Sequence, residues 1–342
     1  MKYYPIDVSS SGAVLLGSRI CCDGFHRDYQ ARVQTHIHLD HMDDFETSKG
    51  FQDLFMSKAT KRMLVAEFNA DLPFRSNVYT LETGVALNYY DDRMEVVESG
   101  HMLGSVQVAV ELSNGMKLGY SGDFQWPLDR VIQAEAVVVD STYGSPESRR
   151  TYSQGEVEAN FLGLVVSKLR GGPLHILAHR GTLHRALQVL SGAVNCRILG
   201  SPRLCAEVEV YREFGYGIGP ILSTDSVAAK EAIAQGRFIR FYGLRDGFPV
   251  DPTLGTTVAL SAHMSDPRDP ILEYSERSYR VALSNHADFE GTLEYVKATG
   301  AKYVLTDNTR GGHAVELALE IKSELGIEAE PSSHGLTREW GI

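Results

Sequence analysis

Short apolar runs separated by polar and glycine-containing turns dominate the first 145 residues. These runs predict strands because they are brief and rich in Val, Ile and Leu, and Asn114-Gly115 is a hairpin turn signal between two of them. One longer stretch, 57–70, has the pattern of a helix. The predicted strands are 13–16, 19–22, 33–36, 77–81, 94–99, 107–112, 117–121 and 136–140.

The pattern changes near residue 145 to an alternation of helices and strands, which is typical of a parallel sheet covered by helices. The alternating elements are 154–170, 174–178, 182–191, 196–200 and 202–214, followed by 279–284, 289–298, 302–306 and 313–325. The stretch 215–252 is the least readable. The chain is therefore expected to be an α/β protein with three parts: a core segment 1–145, an inserted α/β cap 146–278, and a second core segment 279–342.

The composition is that of a soluble globular protein: 342 residues, 43% hydrophobic and 23% charged. Four cysteines without a CxxC pair, and no apolar leader after a basic start, predict a cytoplasmic protein. No apolar run is long enough for a membrane span. A net charge of −11 argues against non-specific coating of nucleic acid, but a nucleic-acid enzyme stays open because bound cations neutralise ligand carboxylates locally.

The segment 35–41, Thr-His-Ile-His-Leu-Asp-His, concentrates three histidines and a carboxylate. In an extended chain His36 and His38 share a face, so both side chains can converge on one ion. Asp40 and His41 follow where the strand must end, and a turn there can aim both at a second ion. Imidazole and carboxylate are ligands that zinc favours, and a catalytic zinc site leaves one position open for water.

Two isolated residues complete the set for two metal ions: His101 in Gly100-His101-Met102-Leu103-Gly104-Ser105, and Asp123 in Ser121-Gly122-Asp123-Phe124. Taken singly, each is a turn residue as readily as a ligand. Together they assign His36, His38 and His101 to a first ion, Asp40 and His41 to a second, and Asp123 as a bridge. Two zinc ions are expected, with Mn²⁺ as an alternative. A pair of ions about 3.5–4 Å apart stabilises the attacking and leaving oxygens of phosphodiester hydrolysis.

These three motifs, HxHxDH, GHxxGS and SGDF, resemble those of the metallo-β-lactamase superfamily. The following run, Val-Val-Val-Asp-Ser-Thr-Tyr-Gly at 137–144, and the inserted α/β region resemble the β-CASP nucleases, over about residues 10–325. The resemblance implies an αββα sandwich with an inserted cap and a nuclease that processes RNA or DNA.

The resemblance also implies roles for residues outside the three motifs. Asp140 matches the acidic residue that supports the histidine network, and His286 in Asn285-His286-Ala287-Asp288 matches an imidazole thought to protonate the leaving oxygen. Without the family, His286 is a core histidine about as readily as a catalytic residue. Asp23 resembles the first acidic motif, which orients a ligating histidine, although a turn aspartate is an equal alternative.

The chain departs from the RNA-processing branch after the strand 302–306. That branch has a further metal-binding histidine there, whereas this chain has Asp307-Asn308, and Artemis-like DNA-repair enzymes have an apolar residue. Asp307 is the expected ligand, with Asn308 or a weakly held second ion as alternatives. His313 is a less favoured substitute and reads as a helix-start residue.

The loop 178–185 follows a predicted strand and opens a predicted helix. Arg180 and Arg185 beside the helix start are candidates for contacts to a nucleic-acid phosphate, and a solvated helix start is an equal alternative. His263, at the end of a strand, is either a cleft residue or a loop residue.

The function expected is metal-dependent hydrolysis of single-stranded nucleic acid, with Asp40, His286 and Asp140 as catalytic residues and RNA slightly favoured over DNA. The alternatives are a DNA exonuclease or repair nuclease of the Artemis-like branch, a non-catalytic β-CASP subunit, or a small-molecule hydrolase. Single-stranded nucleic acid is the expected partner, and a second copy of the chain or partner proteins stay open.

Overall fold

The computed structural model describes residues 3–68, 71–244, 246–248, 254–263 and 266–333. Within these residues the protein is a mixed α/β structure with three mixed sheets and eight α-helices. None of these helices has both the length and the apolar character needed to cross a membrane.

Twenty strands are formed in the described part of the chain. They are β1 (Ile6–Val8), β2 (Val14–Leu16), β3 (Ile20–Cys22), β4 (Ala31–Gln34), β5 (Asp53–Ser57), β6 (Val78–Leu81), β7 (Leu87–Tyr89), β8 (Asp92–Glu98), β9 (Val106–Glu111), β10 (Lys117–Tyr120), β11 (Ala136–Val139), β12 (Leu174–Ala178), β13 (Arg197–Gly200), β14 (Leu222–Ser223), β15 (Phe238–Tyr242), β16 (Thr256–Leu260), β17 (Ile271–Ser275), β18 (Ser278–Val281), β19 (Tyr303–Thr306) and β20 (Glu328–Pro331).

The helices lie between these strands, and the last of them continues into a π-helical turn, Ile321–Leu325. They are α1 (Phe45–Phe51), α2 (Lys58–Phe68), α3 (Gln154–Lys168), α4 (Thr182–Leu190), α5 (Pro202–Glu213), α6 (Val227–Ala234), α7 (Phe289–Thr299) and α8 (Ala314–Glu320).

The described chain divides into two compact units. The first contains residues 3–65, 71–149 and 286–333, and the second contains residues 66–68 and the described residues of 150–285. The second unit is thus an insertion between two parts of the first in chain order.

Two sheets form the first unit. One has the strand order β1-β2-β3-β4-β5-β6, and the other has the order β20-β19-β11-β10-β9-β8-β7. Their facing side chains make one core, in which Val14 and Val33 of the first sheet join Val108, Tyr120 and Val138 of the second, all buried. Successive side chains along each strand therefore point alternately to this core and to the opposite face of the sheet.

Helices α7 and α8 cover the other face of the seven-stranded sheet. Phe289, Leu293 and Leu317 from the helical segments pack with Val137 and Val304 from the sheet. Because β11 is buried on both sides, it is a continuous apolar run, Ala-Val-Val-Val, instead of an alternating one.

The second unit is built on a single seven-stranded sheet of order β14-β13-β15-β12-β16-β18-β17. All its pairs are parallel except β17 with β18. A smaller apolar cluster on this sheet joins Leu199 and Phe238 to Ala229 and Ala232 of α6.

Most predicted elements form within a residue or two of their expected limits, and the helix 182–191 and strand 174–178 are examples. The hairpin at Asn114-Gly115 joins β9 and β10, which are antiparallel. The boundary expected at residue 279 is wrong, since β18 pairs with β16 and β17 inside the sheet of the second unit. The unreadable stretch contains β14, α6 and β15.

Two leucines on one helix offer a matched test of the helix layer. Leu317 is fully buried, whereas Leu319 is 61% exposed on the same helix α8. We expect Leu317→Ala to lower the free energy of unfolding by about 2–5 kcal/mol, because it leaves a cavity in the core. Leu319→Ala is expected to change it by less than about 0.5 kcal/mol. Urea unfolding monitored by circular dichroism measures both, and equal losses would contradict the packing described.

Candidate metal centre

The ends of several strands deliver the candidate ligands to one place. His36 and His38 follow β4, His101 lies in the β8–β9 connection, and Asp123 follows β10. Backbone hydrogen bonds join these segments: the Val106 N–H donates to the Thr35 carbonyl at 3.2 Å. This hydrogen bond joins the end of β4 in one sheet to the start of β9 in the other and so brings together residues that are distant in sequence.

Two glycines allow the loops to approach closely. Gly122, directly before Asp123, has φ +55°, and a Cβ there would lie 2.7 Å from the Val106 carbonyl oxygen. Gly104, after His101, has φ +83°, and a Cβ would lie 2.6 Å from the Thr60 backbone nitrogen. Both positions require a residue without a side chain.

Four donor atoms converge in this region, from His36, His38, His101 and Asp123. The His38 Nδ1 atom lies 3.2 Å from His36 Nε2 and 3.0 Å from His101 Nε2. Asp123 Oδ2 lies 3.3 Å from His36 Nε2, 3.4 Å from His101 Nε2 and 4.0 Å from His38 Nδ1. The four atoms thus surround one point.

Such spacing fits a metal ion at the centre. Zinc–nitrogen bonds of about 2.0–2.1 Å in a tetrahedral site place neighbouring donor atoms about 3.3 Å apart. Unprotonated ring nitrogens that face one another at this distance repel, and a cation between them removes the repulsion. His36, His38, His101 and Asp123 are therefore positioned to hold a metal ion.

The electrostatics of the site favour the ligand forms of these side chains. Burial lowers the pKa of His36 to about 4 and the pKa of His101 well below its ordinary value, so both rings are neutral near pH 7. Burial alone would raise the pKa of Asp123, but His41 and His36 lower it well below its ordinary value. Neutral imidazoles and an ionised carboxylate are the forms that bind metals.

The side chain of Asp23 lies inside the protein and contacts the histidine motif. This is the position expected of an acidic residue that orients a ligating histidine. Asp23 is fully buried, with φ +54°. Its Oδ2 atom lies 2.8 Å from His41 Nδ1 and accepts from Thr35 Oγ1 at 2.5 Å, while Oδ1 accepts from the Thr35 N–H at 2.8 Å. These contacts fix the ring of His41 and the start of the histidine motif.

Two arginines, Arg32, which is fully buried, and Arg310, whose side chain is 9% exposed, hold the short 3₁₀ turn Leu39–His41. Arg32 donates to the His41 carbonyl at 2.9 Å and to the Asp43 carbonyl at 2.8 Å. Arg310 donates to the Asp40 carbonyl at 3.2 Å and to the Asp23 carbonyl at 3.2 Å. Sequence reasoning missed both arginines, and only the spacing of Arg310 three residues after Asp307 offered a signal.

His286 and Asp140 form a pair beside the four donors. His286 Nδ1 lies 2.9 Å from Asp140 Oδ2, and its Nε2 atom lies 3.8 Å from Asp123 Oδ2. The other Asp140 oxygen accepts from the Thr142 N–H at 2.8 Å and from Thr142 Oγ1 at 2.6 Å. Burial lowers the pKa of His286, but the hydrogen bond with Asp140 and the charges of Asp123, Asp140 and Asp40 together outweigh burial and raise it overall.

The residues predicted for a second ion are arranged differently. His41 Nε2 lies 3.2 Å from Asp123 Oδ1 and 3.7 Å from Asp40 Oδ2. Among the described residues, three sets of His, Cys, Asp or Glu side chains converge within 4.8 Å, and Asp40 belongs to none of them. Its side chain is 35% exposed.

Asp307, which the sequence predicts as a metal ligand, belongs to none of the three converging groups of the described residues. Its Oδ1 atom accepts from the Thr309 N–H at 2.8 Å and from Thr309 Oγ1 at 2.7 Å, and its Oδ2 atom pairs with Arg310. The backbone N–H of Asn308 donates to Ser332 Oγ at 3.0 Å. His313 is the residue before α8, as expected of a helix-start residue.

The arginines predicted to contact phosphate are engaged by carboxylates of the second unit. Arg180 pairs with Glu67 and lies 3.3 Å from Glu207, and Arg185 pairs with Glu158 at 2.6 Å. Both guanidinium groups therefore have acidic partners within the protein, and their contact with phosphate stays a prediction. His263 is exposed, and its carbonyl accepts from Arg280.

The fold and the site together define the class: an α/β protein with a His/Asp group positioned to hold a metal ion. No protein-family model matches the chain. It is 36% identical over 109 residues to a protein of Acidianus ambivalens described as an uncharacterized protein in a lig 3′ region, covering 31% of this chain and 77% of that protein. The chain belongs to the same family as that protein.

Two further proteins are similar over most of the chain. A probable DNA ligase of Opitutus terrae is 23% identical over 334 residues, which are 90% of this chain but only 29% of the ligase. The crystal structure of a protein of unknown function from Enterococcus faecalis V583 matches with a TM-score of 0.55 and 12% identity, covering 82% of this chain and 76% of that chain. The latter likeness shows the fold alone.

Zinc is expected to stabilise the protein through the four converging donors. At a zinc concentration 100 times the Kd, binding to the folded state alone adds about 2.7 kcal/mol to the free energy of unfolding. We expect His101→Ala to lose most of this gain and His313→Ala, which alters a histidine outside the donor groups, to keep it. Thermal unfolding with zinc or EDTA measures the gain, and an equal gain in wild type and His101→Ala would contradict the assignment.

Proposed function

We propose that this protein is a metal-dependent phosphodiesterase that hydrolyses nucleic acid, with a metallo-β-lactamase fold and a β-CASP cap inserted as the second unit. The observation that carries the proposal is the convergence of His36, His38, His101 and Asp123, with the His286–Asp140 pair directly beside them. Two packed sheets, a helix layer and an inserted parallel unit are consistent with the proposed fold.

The metal would supply a polarised phosphoryl oxygen and a water of lowered pKa, which is the chemistry of metal-assisted hydrolysis. His36, His38, His101 and Asp123 would hold it; His36, His101 and Asp123 are buried, whereas the His38 side chain is 15% exposed. Asp23 and Thr35 orient the histidine motif, so little reorganisation is needed when the site is loaded.

His286 is suited to give a proton to the leaving oxygen. Asp140 fixes its ring through Nδ1, which leaves Nε2 facing the donor group. Although burial opposes it, the raised pKa of His286 favours the protonated ring that a general acid requires. Asp140 acts through His286 and is a positioning residue in this scheme.

We favour DNA over RNA as the substrate, which reverses the order expected from the motifs. Support comes from the names of the two relatives, one a probable DNA ligase whose matching segment covers 90% of this chain, the other located in a lig 3′ region. A nuclease that prepares DNA strand ends would be a functional companion of a DNA ligase. The chain matches 29% of the ligase, so the ligase activity itself is not transferred.

The proposed acid role of His286 predicts a dependence on the leaving group. We expect His286→Ala to slow cleavage of end-labelled single-stranded DNA about 10²–10⁴-fold, the usual contribution of general acid catalysis. Hydrolysis of bis(p-nitrophenyl) phosphate, whose leaving group needs no proton, should change far less.

Matched variants and substrates separate the alternatives. Asp123→Asn should abolish both reactions, and His313→Ala should preserve both. Equal loss on the two substrates in His286→Ala would refute the acid role. Bound metal without cleavage of single-stranded DNA, RNA of the same sequence, or the small ester would support a non-catalytic subunit and overturn the proposal.

A further inference from the structure

We infer that the second unit has a binding site of its own for a phosphorylated ligand with a planar organic part, which is a nucleotide or one nucleotide of a single strand. The site is a cavity lined by Arg170, Arg237 and an apolar wall. Recognition of an anion is argued from the cavity alone, whereas the choice of a nucleotide rests on the proposed function.

Three connections of the second unit meet at this cavity. The end of α3 leads into β12, the loop 191–196 leads into β13, and the turn after α6 leads into β15. These strands are parallel neighbours in the order β13-β15-β12, so their amino ends lie at one edge of the sheet. The cavity has a volume of about 540 Å³, which falls within the range of small-molecule sites, roughly 300–1,000 Å³.

The cavity is separate from the segment in which the sequence pattern predicts phosphate contacts. That segment, 178–185, begins at the last residue of β12 and therefore lies at the opposite, carboxyl edge of the same sheet. The carboxyl edge is where open α/β sheets usually bind their ligands. A ligand at the amino edge would thus occupy a second place on this unit.

Both arginines of the cavity are exposed and lack an acidic partner. Within the described part of the chain, neither the Arg170 nor the Arg237 guanidinium has a carboxylate within 4.0 Å. In contrast, Arg180, Arg185 and Arg212 of the same unit each pair with a glutamate. None of the residues that line this cavity is Asp or Glu. A concave surface with charges of one sign concentrates counter-ions, so this one attracts anions.

The chemistry of the lining selects among anions. A guanidinium group donates two parallel hydrogen bonds to phosphate oxygens, and two such groups suit a doubly charged phosphate monoester. Val166, Leu169 and Val194 add an apolar wall, and Val166 is 40% exposed. Inorganic phosphate would leave that wall uncovered, whereas the face of a nucleobase would cover it. The Asn195 amide, which also lines the cavity, can donate and accept hydrogen bonds at a base edge.

The proposed reaction produces ligands of this class. Water adds to the phosphorus of a phosphodiester, the bond to the leaving oxygen breaks, and that oxygen takes up a proton. One product therefore ends in a hydroxyl group and the other in a phosphate monoester. The second product carries both the dianionic group and the base that the cavity is suited to bind.

Binding can be measured without metal and without cleavage. We titrate dAMP into the protein in EDTA by calorimetry and compare it with deoxyadenosine and inorganic phosphate. We expect dAMP to bind more tightly than either part. Arg170→Met and Arg237→Met should each weaken dAMP binding about tenfold, because each removes hydrogen bonds from a charged group. Arg268→Met removes an exposed arginine of the same unit outside the cavity and should leave the Kd unchanged.

A decamer of deoxyadenylate distinguishes the two sources of the ligand. Binding of dAMP identifies a free nucleotide, and binding of the decamer alone, weakened in both cavity variants, identifies a strand. Circular dichroism confirms that each variant is folded. The inference is overturned if neither ligand binds, if the affinity is unchanged in both cavity variants, or if Arg185→Met abolishes binding while they do not. Inorganic phosphate that binds as tightly as dAMP would refute the nucleotide assignment.

The outcome is distinguishable from that of the proposed nuclease function. Failure of dAMP and the decamer to bind in EDTA would leave metal-dependent cleavage of DNA untouched. Conversely, binding that depends on Arg170 and Arg237 in a protein that cleaves no substrate would contradict the proposed function and support the anion site.

Discussion

The carboxylate of Asp23 has no solvent around it, and donors from Gln34, Thr35 and His41 take the place of water. A buried charge without such partners would cost several kcal/mol, so the surrounding chain must keep its donors aimed at this group. The end of β3, the end of β4 and the turn that carries His41 are thereby tied to one another. The positions of Thr35 and His41 in the histidine motif depend on this arrangement.

Local sequence patterns were sufficient to predict the strands and helices that bury a continuous apolar face. The run Ala136–Val139 could be recognised because both of its sides are buried, and α7 is bounded by Asp288, whose side chain caps it, and Gly300. The stretch around β14 and α6 was unreadable because a strand of two residues and a helix of eight have too few positions to show a period.

The convergence of His36, His38, His101 and Asp123 was also predictable, since their spacing and their glycine neighbours reflect local geometry. The direction of a side chain at a strand end, in contrast, could not be predicted from the sequence pattern. Asp307 follows β19 in the expected place, but a nearby arginine and threonine hold its carboxylate. Arg180 and Arg185 have partners far away in sequence, Glu67 and Glu158 among them, which no local pattern reveals. An acidic chain thus uses several of its cations internally.

The insertion of the second unit also has a consequence for biosynthesis. His36, His38, His101 and Asp123 all precede Arg150, whereas His286, α7, β19 and α8 emerge from the ribosome only after the whole insertion. The nascent first part therefore carries a complete set of donors before β19 can pair with β11 and before the helix layer can cover the sheet. Pairing of strands so distant in sequence is slow, and metal captured early by the growing chain would hold the two sheets in register until their partners arrive.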